Sequence, residues 1–142
     1  MDFTLELIVV PVTDIDASKA FYEEKCGFHV DVDFSNGPDF RVVQLTPPGS
    51  ACSISLMKAG DDSGTAGQLR GLHLCVSDIV AAREELAQRG LEISEPFHFG
   101  AEGRQDGVHP DRVSYGTFAT FTDPDGSVWL VQEVRRGAGA PA

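Results

Sequence analysis

A histidine and a cysteine two positions apart in an apolar stretch have the clearest potential for chemistry in this sequence. His73 and Cys75 lie in the predicted strand Gly71–Val76, and alternate residues of a strand share a face. An imidazole there can orient a ligand or act as a general base, whereas a thiol is a nucleophile only where its thiolate is stabilised. We interpret His73 as the best catalytic candidate and as a pocket-lining residue, and Cys75 as a buried, unreactive thiol.

A second group of polar side chains lies in a long predicted connection, Phe97–Gly116. A connection of about 20 residues within a compact domain is often a lid or a binding loop. Its Gly and Asp residues suit a flexible, solvated insertion equally well, so both interpretations stay open. We do not expect His98 and His109 to form a metal pair, because nothing in the sequence fixes their geometry. The polar candidates of this connection are His98, Arg104, His109, Arg112 and Tyr115.

The strongest structural signal is a predicted hairpin near the end of the chain. Two stretches rich in β-branched and aromatic residues, Thr117–Thr122 and Val128–Val134, flank the sequence Asp-Pro-Asp-Gly at 123–126. Such a four-residue turn between two apolar runs predicts antiparallel strands. On the second strand, Val128, Leu130 and Gln132 share one face, and the residues between them share the other.

The elements that must position these residues occur in the order β-α-β-β-β. Predicted strands span 5–12, 28–34, 40–45 and 51–57, and a predicted helix spans 17–25. The run Thr13-Asp14-Ile15-Asp16 supplies several possible N-caps of that helix, and Gly27 is its predicted stop. Asn36-Gly37 predicts a hairpin turn between the second and third strands.

The second half of the chain repeats this order. A strand at 71–76, a helix from Ser77 or Asp78 to about Arg89, and a strand at 91–97 precede the hairpin. Val12, Asp14, Ile15 and Ala17 recur 64 residues later as Val76, Asp78, Ile79 and Ala81. An internal duplication of this size fixes the architecture. We predict modules at residues 1–58 and 67–136, a linker at 59–66 and a frayed tail at 137–142.

Composition limits the function classes. The chain has 142 residues, a net charge of −11 and an isoelectric point of about 4.6, so we expect no nucleic-acid partner, since such binding needs clustered Lys and Arg. No apolar run approaches the ~20 residues of a membrane span, and the N-terminus does not resemble a signal peptide. Three widely spaced cysteines indicate reduced thiols and a cytoplasmic protein.

Three stretches carry a family resemblance: PVTDIDASKAFYEEKCGF, LHLCVSDIVAAREELAQRG and FTDPDGSVWLVQEV. Together they resemble the vicinal oxygen chelate superfamily, which includes glyoxalase I, bleomycin-resistance proteins and extradiol dioxygenases. The resemblance covers nearly the whole chain, Leu5 to Val134. It implies an α+β fold of two β-α-β-β-β modules that form a cupped mixed sheet around a cleft, and often a homodimer.

The resemblance also implies where a divalent metal would be held. The matching positions are Leu7, Ser53 or Ser55, Gly71 and Leu130. A register shifted by two residues gives instead Val9, Ser53 or Met57, His73 and Gln132. A metal needs several carboxylate, imidazole or thiolate donors. The first register offers none, and the second offers one imidazole, one weak amide and no carboxylate, so we expect no metal and no cofactor.

We therefore expect a pocket that binds a small, largely apolar organic molecule, as resistance-type members of the family do. The predicted ligand-binding residues are His73, Gln132, Leu7, Ser55, Leu130 and Tyr115. Two alternatives remain open. One is a lyase, isomerase or dioxygenase-type enzyme of the superfamily with an unconventional site around His73. The other is an interaction module with a vestigial pocket.

Overall fold

The computed structural model describes residues 1–135 of the chain and divides them into two compact units. The first unit comprises Met1–Leu69 together with the turn Asp123–Ser127, and the second comprises Arg70–Thr122 and the residues from Val128 on. Each unit contains a mixed β-sheet and a single α-helix. The predicted α+β class is confirmed. The predicted tail at 137–142 lies outside the described residues.

The first unit contains four strands in the spatial order β1-β4-β3-β2, with β1 and β4 parallel and the other neighbours antiparallel. The helix α1 continues into a π-helical turn at Phe21–Lys25. The elements are β1 Leu7–Val12, α1 Ile15–Ala20, β2 His29–Ser35, β3 Arg41–Thr46 and β4 Ser53–Lys58.

The core of the first unit lies on the sheet face that packs against α1. Strands β1, β3 and β4 each place two buried apolar residues, two positions apart, on this face, as the two-residue period of a strand requires. These residues are Val10, Val12, Val43, Leu45, Ile54 and Leu56, and Tyr22 and Phe28 complete the cluster. The opposite face of this sheet is called here the open face of the first sheet.

The second unit contains five strands in the order β5-β9-β8-β6-β7, one more than the predicted module. β5 and β9 are parallel, and the remaining neighbours are antiparallel. The elements are β5 Leu72–Val76, α2 Ile79–Gln88, β6 Phe97–Gly100, β7 Gly103–Asp106, β8 Thr117–Thr122 and β9 Val128–Glu133.

Helix α2 covers one face of the second sheet. Phe121 and Trp129 stack there, with ring centroids 5.8 Å apart. Ala119, Val131 and Ile79 are buried on this side. The alternation predicted for β9 is confirmed, because the residues at 129, 131 and 133 are buried and those at 128, 130 and 132 are half-buried. The half-buried side is called here the open face of the second sheet.

Two sequence predictions for the segment after α2 were wrong. No strand spans 91–97; Leu91 and Ile93 are buried in an irregular segment, and β6 begins at Phe97. The connection 97–116 is not one long loop, because the β6–β7 hairpin occupies its first half. All of β7 is exposed, so it had no apolar alternation to reveal it.

Each α-helix begins at one of its candidate N-caps, Asp14 for α1 and Asp78 for α2. The Asp14 side chain accepts a hydrogen bond from the Ala17 N–H, and the Asp78 side chain accepts bonds from the Val80 and Ala81 N–H groups. These bonds satisfy amide groups that a helix leaves unpaired at its start. Within residues 1–135, neither helix is long and apolar enough to cross a membrane.

The Asp-Pro-Asp-Gly turn is fixed by a buried carboxylate. Asp123 is 5% exposed. It accepts hydrogen bonds from the Tyr22 hydroxyl at 2.7 Å and from the Asp125 and Ser127 N–H groups at 3.0 and 2.9 Å. Thr13 adds two further bonds, to the Asp125 carboxylate. The turn is therefore part of the first unit's hydrogen-bond network.

We predict that Tyr22→Phe destabilises the protein, because it removes the hydroxyl donor from the buried Asp123 carboxylate. A hydrogen bond to a charged group contributes about 1.5–3 kcal/mol, so the free energy of unfolding should fall by about that amount. Urea denaturation measures it. Tyr115→Phe is the control for loss of a tyrosine hydroxyl, since Tyr115 is 52% exposed. Equal stability of the two variants would refute the prediction.

Candidate functional site

The candidate functional site is the open face of the second sheet. Strand pairing places His73, Leu130 and Thr120 side by side in one row across β5, β9 and β8. Cys75, Gln132 and Phe118 form the next row. The face therefore combines an aliphatic and an aromatic side chain with a few polar groups, which is typical of small-molecule sites.

His73 is held in one tautomer by the main chain. Its Nδ1 lies 2.7 Å from the carbonyl oxygen of Gly71, which can only accept a hydrogen bond. Nδ1 therefore carries the proton, and Nε2 of the neutral ring has the lone pair. The side chain is exposed on the open face, so His73 can accept a hydrogen bond from a ligand or take a proton from it.

The prediction for Cys75 was wrong, because this thiol is exposed rather than buried. Cys75 is the Cα partner of Gln132 and lies on the same face as His73. The apolar run around it suggested burial, but its side chain belongs to the side of β5 that α2 does not cover.

Gln132 and Tyr115 are connected at the end of this face. The Gln132 Nε2 donates to the Tyr115 carbonyl oxygen at 3.3 Å. Tyr115 has a φ of 70°, which a non-glycine residue rarely adopts, and its N–H donates to the Glu133 carbonyl oxygen at 2.8 Å. The Tyr115 ring is half exposed. The structure therefore brings together His73, Leu130, Gln132 and Tyr115 on one unit.

The other two predicted ligand contacts, Leu7 and Ser55, lie on the open face of the first sheet. Leu7 is the Cα partner of Ser53, and Ser55 is the partner of Val9 and of Gln44. Leu7 is half-buried and Ser55 is buried. Both residues therefore lie on one face of their own unit, where Leu7 is partly accessible to solvent and Ser55 is almost inaccessible.

The side chains at the family's metal positions do not fit a divalent ion. Gly71 precedes β5, and His73 rather than Gly71 is the Cα partner of Leu130. The positions thus present leucine, serine and at most one imidazole. Among residues 1–135, no three His, Cys, Asp or Glu side chains are grouped as a metal site would require.

Sequence reasoning missed an aromatic group on the same open face. Phe97 and Phe118 are Cα partners on β6 and β8, with ring centroids 5.8 Å apart. Phe99 lies 5.9 Å from each of these rings. The Arg104 guanidinium lies 3.7 Å from the Phe97 centroid. The spacing of Phe97 and Phe99 by two residues was the available signal for a strand.

A buried ion pair holds the segment that carries Tyr115. Glu133 is fully buried, and its carboxylate accepts hydrogen bonds from Arg112 Nε at 2.9 Å, from Arg112 Nη2 and from the Ile79 N–H at 3.0 Å. Hydrogen bonds from Arg112 hold the pKa of Glu133 below its usual range; burial opposes them, and the Ile79 N–H assists. The pair links β9, the start of α2 and the segment before β8.

Comparison with known proteins gives a single family. The family model described as Glyoxalase/Bleomycin resistance protein/Dioxygenase superfamily matches residues 4–131. The chain is 26% identical over 126 residues to the uncharacterized protein YetH of Bacillus subtilis (strain 168). That match covers 89% of this chain and 94% of YetH.

Two solved structures from Streptomyces sp. CB03234 are similar over almost their full length. TnmS3, described as an antibiotic binding protein, is 30% identical with a TM-score of 0.70, covering 94% of this chain and 97% of TnmS3. A glyoxalase/bleomycin resistance protein is 31% identical with a TM-score of 0.67, covering 92% of this chain and 100% of that one.

We predict that Arg112→Gln leaves the Glu133 carboxylate buried without its cation. Removing one partner of such a pair leaves an uncompensated buried charge, so we expect the free energy of unfolding at neutral pH to fall in Arg112→Gln. Urea denaturation checks this, and Arg89→Gln at the end of α2 is the control, which should lose less stability.

The Glu133–Arg112 pair also predicts how the stability of the protein depends on pH. Because the folded pKa of Glu133 is lowered, its stabilisation is complete above the unfolded value near 4.5 and is lost as pH falls through the folded pKa. The difference in the free energy of unfolding between the wild type and Arg112→Gln should therefore shrink as the pH falls below about 4.5. A difference that stays constant down to strongly acidic pH would contradict the assignment.

Proposed function

This chain belongs to the glyoxalase/bleomycin resistance protein/dioxygenase superfamily, and we propose that it binds a small, largely apolar organic molecule without a metal. The proposed site is the open face of the second sheet. Leu130 and Phe118 supply the apolar surface, and His73 and Gln132 supply the polar groups that orient the ligand. Tyr115 lies at the edge of this face and is a proposed contact.

The observation that carries this proposal is the combination of side chains in the rows His73–Leu130–Thr120 and Cys75–Gln132–Phe118. Leucine stands where the family would place a carboxylate ligand. An aliphatic side chain at this point removes a donor and fills space that a hydrated ion needs. The same leucine favours an apolar ligand, whose burial is the main favourable term in binding.

The similarity to TnmS3 supports a binding function. That protein is described as antibiotic binding, and the identity of 30% extends over 94% of this chain. We propose by analogy that the ligand here is an organic molecule of antibiotic-like size. In the first unit, Leu7 and Ser55 remain proposed ligand contacts, because they lie on the open face of their own sheet.

We propose that the protein acts in the cytoplasm. Cys26, Cys52 and Cys75 are thiols that form no disulfide within the described residues, and thiols persist in a reducing compartment. A protein that binds antibiotic-like molecules would intercept them there.

We predict that His73→Ala weakens binding without unfolding the protein. The neutral probe is naphthol, whose hydroxyl can donate to Nε2 of His73, and binding is followed by amide chemical shifts in heteronuclear NMR. Loss of one hydrogen bond contributing about 1 kcal/mol should weaken binding about fivefold.

His29→Ala is the matched control, because His29 is an exposed histidine on β2 of the first unit. It should leave the dissociation constant unchanged. If naphthol shifts no amide of β5 or β9 in the wild type, the proposed site is wrong. If both histidine variants bind naphthol as tightly as the wild type, His73 has no role in orienting the ligand.

We propose that the protein is a homodimer, as the family resemblance implies. Val32, Phe34 and Phe40 of the first unit are exposed apolar side chains outside the proposed site, and association of two copies would remove apolar surface of this kind from water. We predict a dimer mass by sedimentation velocity at micromolar concentration. A monomer mass across the concentration range would contradict this prediction.

A further inference from the structure

We propose that the β6–β7 hairpin makes the ligand site selective for planar aromatic molecules that carry a negative charge. This inference rests on the proposed function and names the class of ligand. The group that carries it consists of Phe97, Phe99, Phe118 and Arg104, called here the aromatic platform.

The platform is continuous with the proposed site. Phe118 is the Cα partner of Gln132 on β9, and Phe97 is the partner of Phe118 on β6. All three rings therefore project from the open face of the second sheet. Phe97 is buried, whereas Phe99 is 59% exposed. The platform offers an aromatic surface that solvent can reach at the edge of the rows containing His73 and Leu130.

Arg104 adds a cation to this surface. It is the Cα partner of Phe99, so it projects from the same face, and its guanidinium lies 3.7 Å from the Phe97 ring centroid. Stacking on a ring restrains a planar guanidinium and leaves its N–H groups available for hydrogen bonds. A ligand at Phe99 would meet these N–H groups.

Arg104 is not neutralised by a carboxylate, although Asp and Glu outnumber Lys and Arg by 22 to 11 in this chain. Arg41, Arg83 and Arg112 each form salt bridges. Within the part of the chain that the structure describes, Arg104 forms none. The hairpin also carries Glu102, in the turn, and Asp106, which is the Cα partner of Phe97 and shares the face of Arg104; both are exposed, and neither forms a salt bridge with Arg104.

These features favour planar aromatic anions over neutral, cationic or non-aromatic ligands. A flat aromatic ring can stack on Phe99, and a carboxylate or sulfonate on that ring can accept two parallel hydrogen bonds from a guanidinium. The net charge of −11 repels anions from the rest of the surface. Selection of an anionic ligand therefore depends on the local cation at Arg104.

The test compares four probes of similar size by amide chemical shifts at constant ionic strength. They are naphthoate, naphthamide, naphthylmethylammonium and decahydronaphthoate. A charge-assisted contact should make naphthoate bind about five- to tenfold more tightly than naphthamide. The ammonium probe should bind most weakly of the planar three, and decahydronaphthoate should bind more weakly than naphthoate because its saturated rings cannot stack.

Two variants assign the effect to residues. Arg104→Gln should abolish the preference for naphthoate and leave naphthamide binding unchanged. Arg89→Gln removes the same charge from the end of α2 and should keep the preference. Phe99→Ala should weaken all three planar probes, and its exposed position makes loss of the fold unexpected; the dispersion of the amide spectrum verifies folding.

The outcomes separate this inference from the proposed function. If naphthamide shifts the amides of β5 and β9 but naphthoate has no advantage, or keeps it in Arg104→Gln, the selectivity is refuted and the binding function stands. If none of the planar probes shifts those amides, both proposals fail. Shifts confined to α2 would also overturn the assignment of the platform.

Discussion

The second unit depends on one buried ion pair, between Glu133 and Arg112. A carboxylate without exposure to solvent is stable as an anion only when hydrogen bonds replace its hydration. Arg112 and the Ile79 N–H supply those bonds. They thereby connect the last strand, the start of α2 and the segment that ends in Tyr115, whose backbone adopts a positive φ. The position of Gln132 at the edge of the open face follows from this network, because its side chain bonds the Tyr115 carbonyl.

The sequence predicted the features that local chemistry determines. Asp14 and Asp78 indicated helix starts because a short carboxylate can accept from free amide groups, and Asp-Pro-Asp-Gly indicated a turn because Pro and Gly restrict or permit particular φ values. The alternation on β9 gave its two faces. The β6–β7 hairpin was missed because β7 is an edge strand with four exposed residues, so no apolar pattern marks it. Cys75 was assigned to the interior because its strand is apolar, although parity with His73 places it on the open face.

The candidate site illustrates a different limit. Sequence reasoning identified His73, Leu130 and Gln132, and strand register brings them together. It could not identify the aromatic platform, because Phe97 and Phe99 join Phe118 only through strand pairing between distant segments. The register also pairs His73 with Leu130, whereas counting from the helix start gave Gly71. Counting back the same number of residues from each helix start assumes that the two sheets have the same strand register. In the first sheet Leu7 pairs with Ser53, whereas in the second sheet His73, and not Gly71, pairs with Leu130.

We propose that the open face of the second sheet binds an organic molecule and holds no metal. Elemental analysis of the purified protein is the critical measurement, because a metal site would need donors at Leu130, His73 and their neighbours. We expect no stoichiometric zinc, nickel, manganese or iron. One metal ion per chain that disappears in His73→Ala would contradict the account and identify the protein as a metalloprotein with an unconventional site.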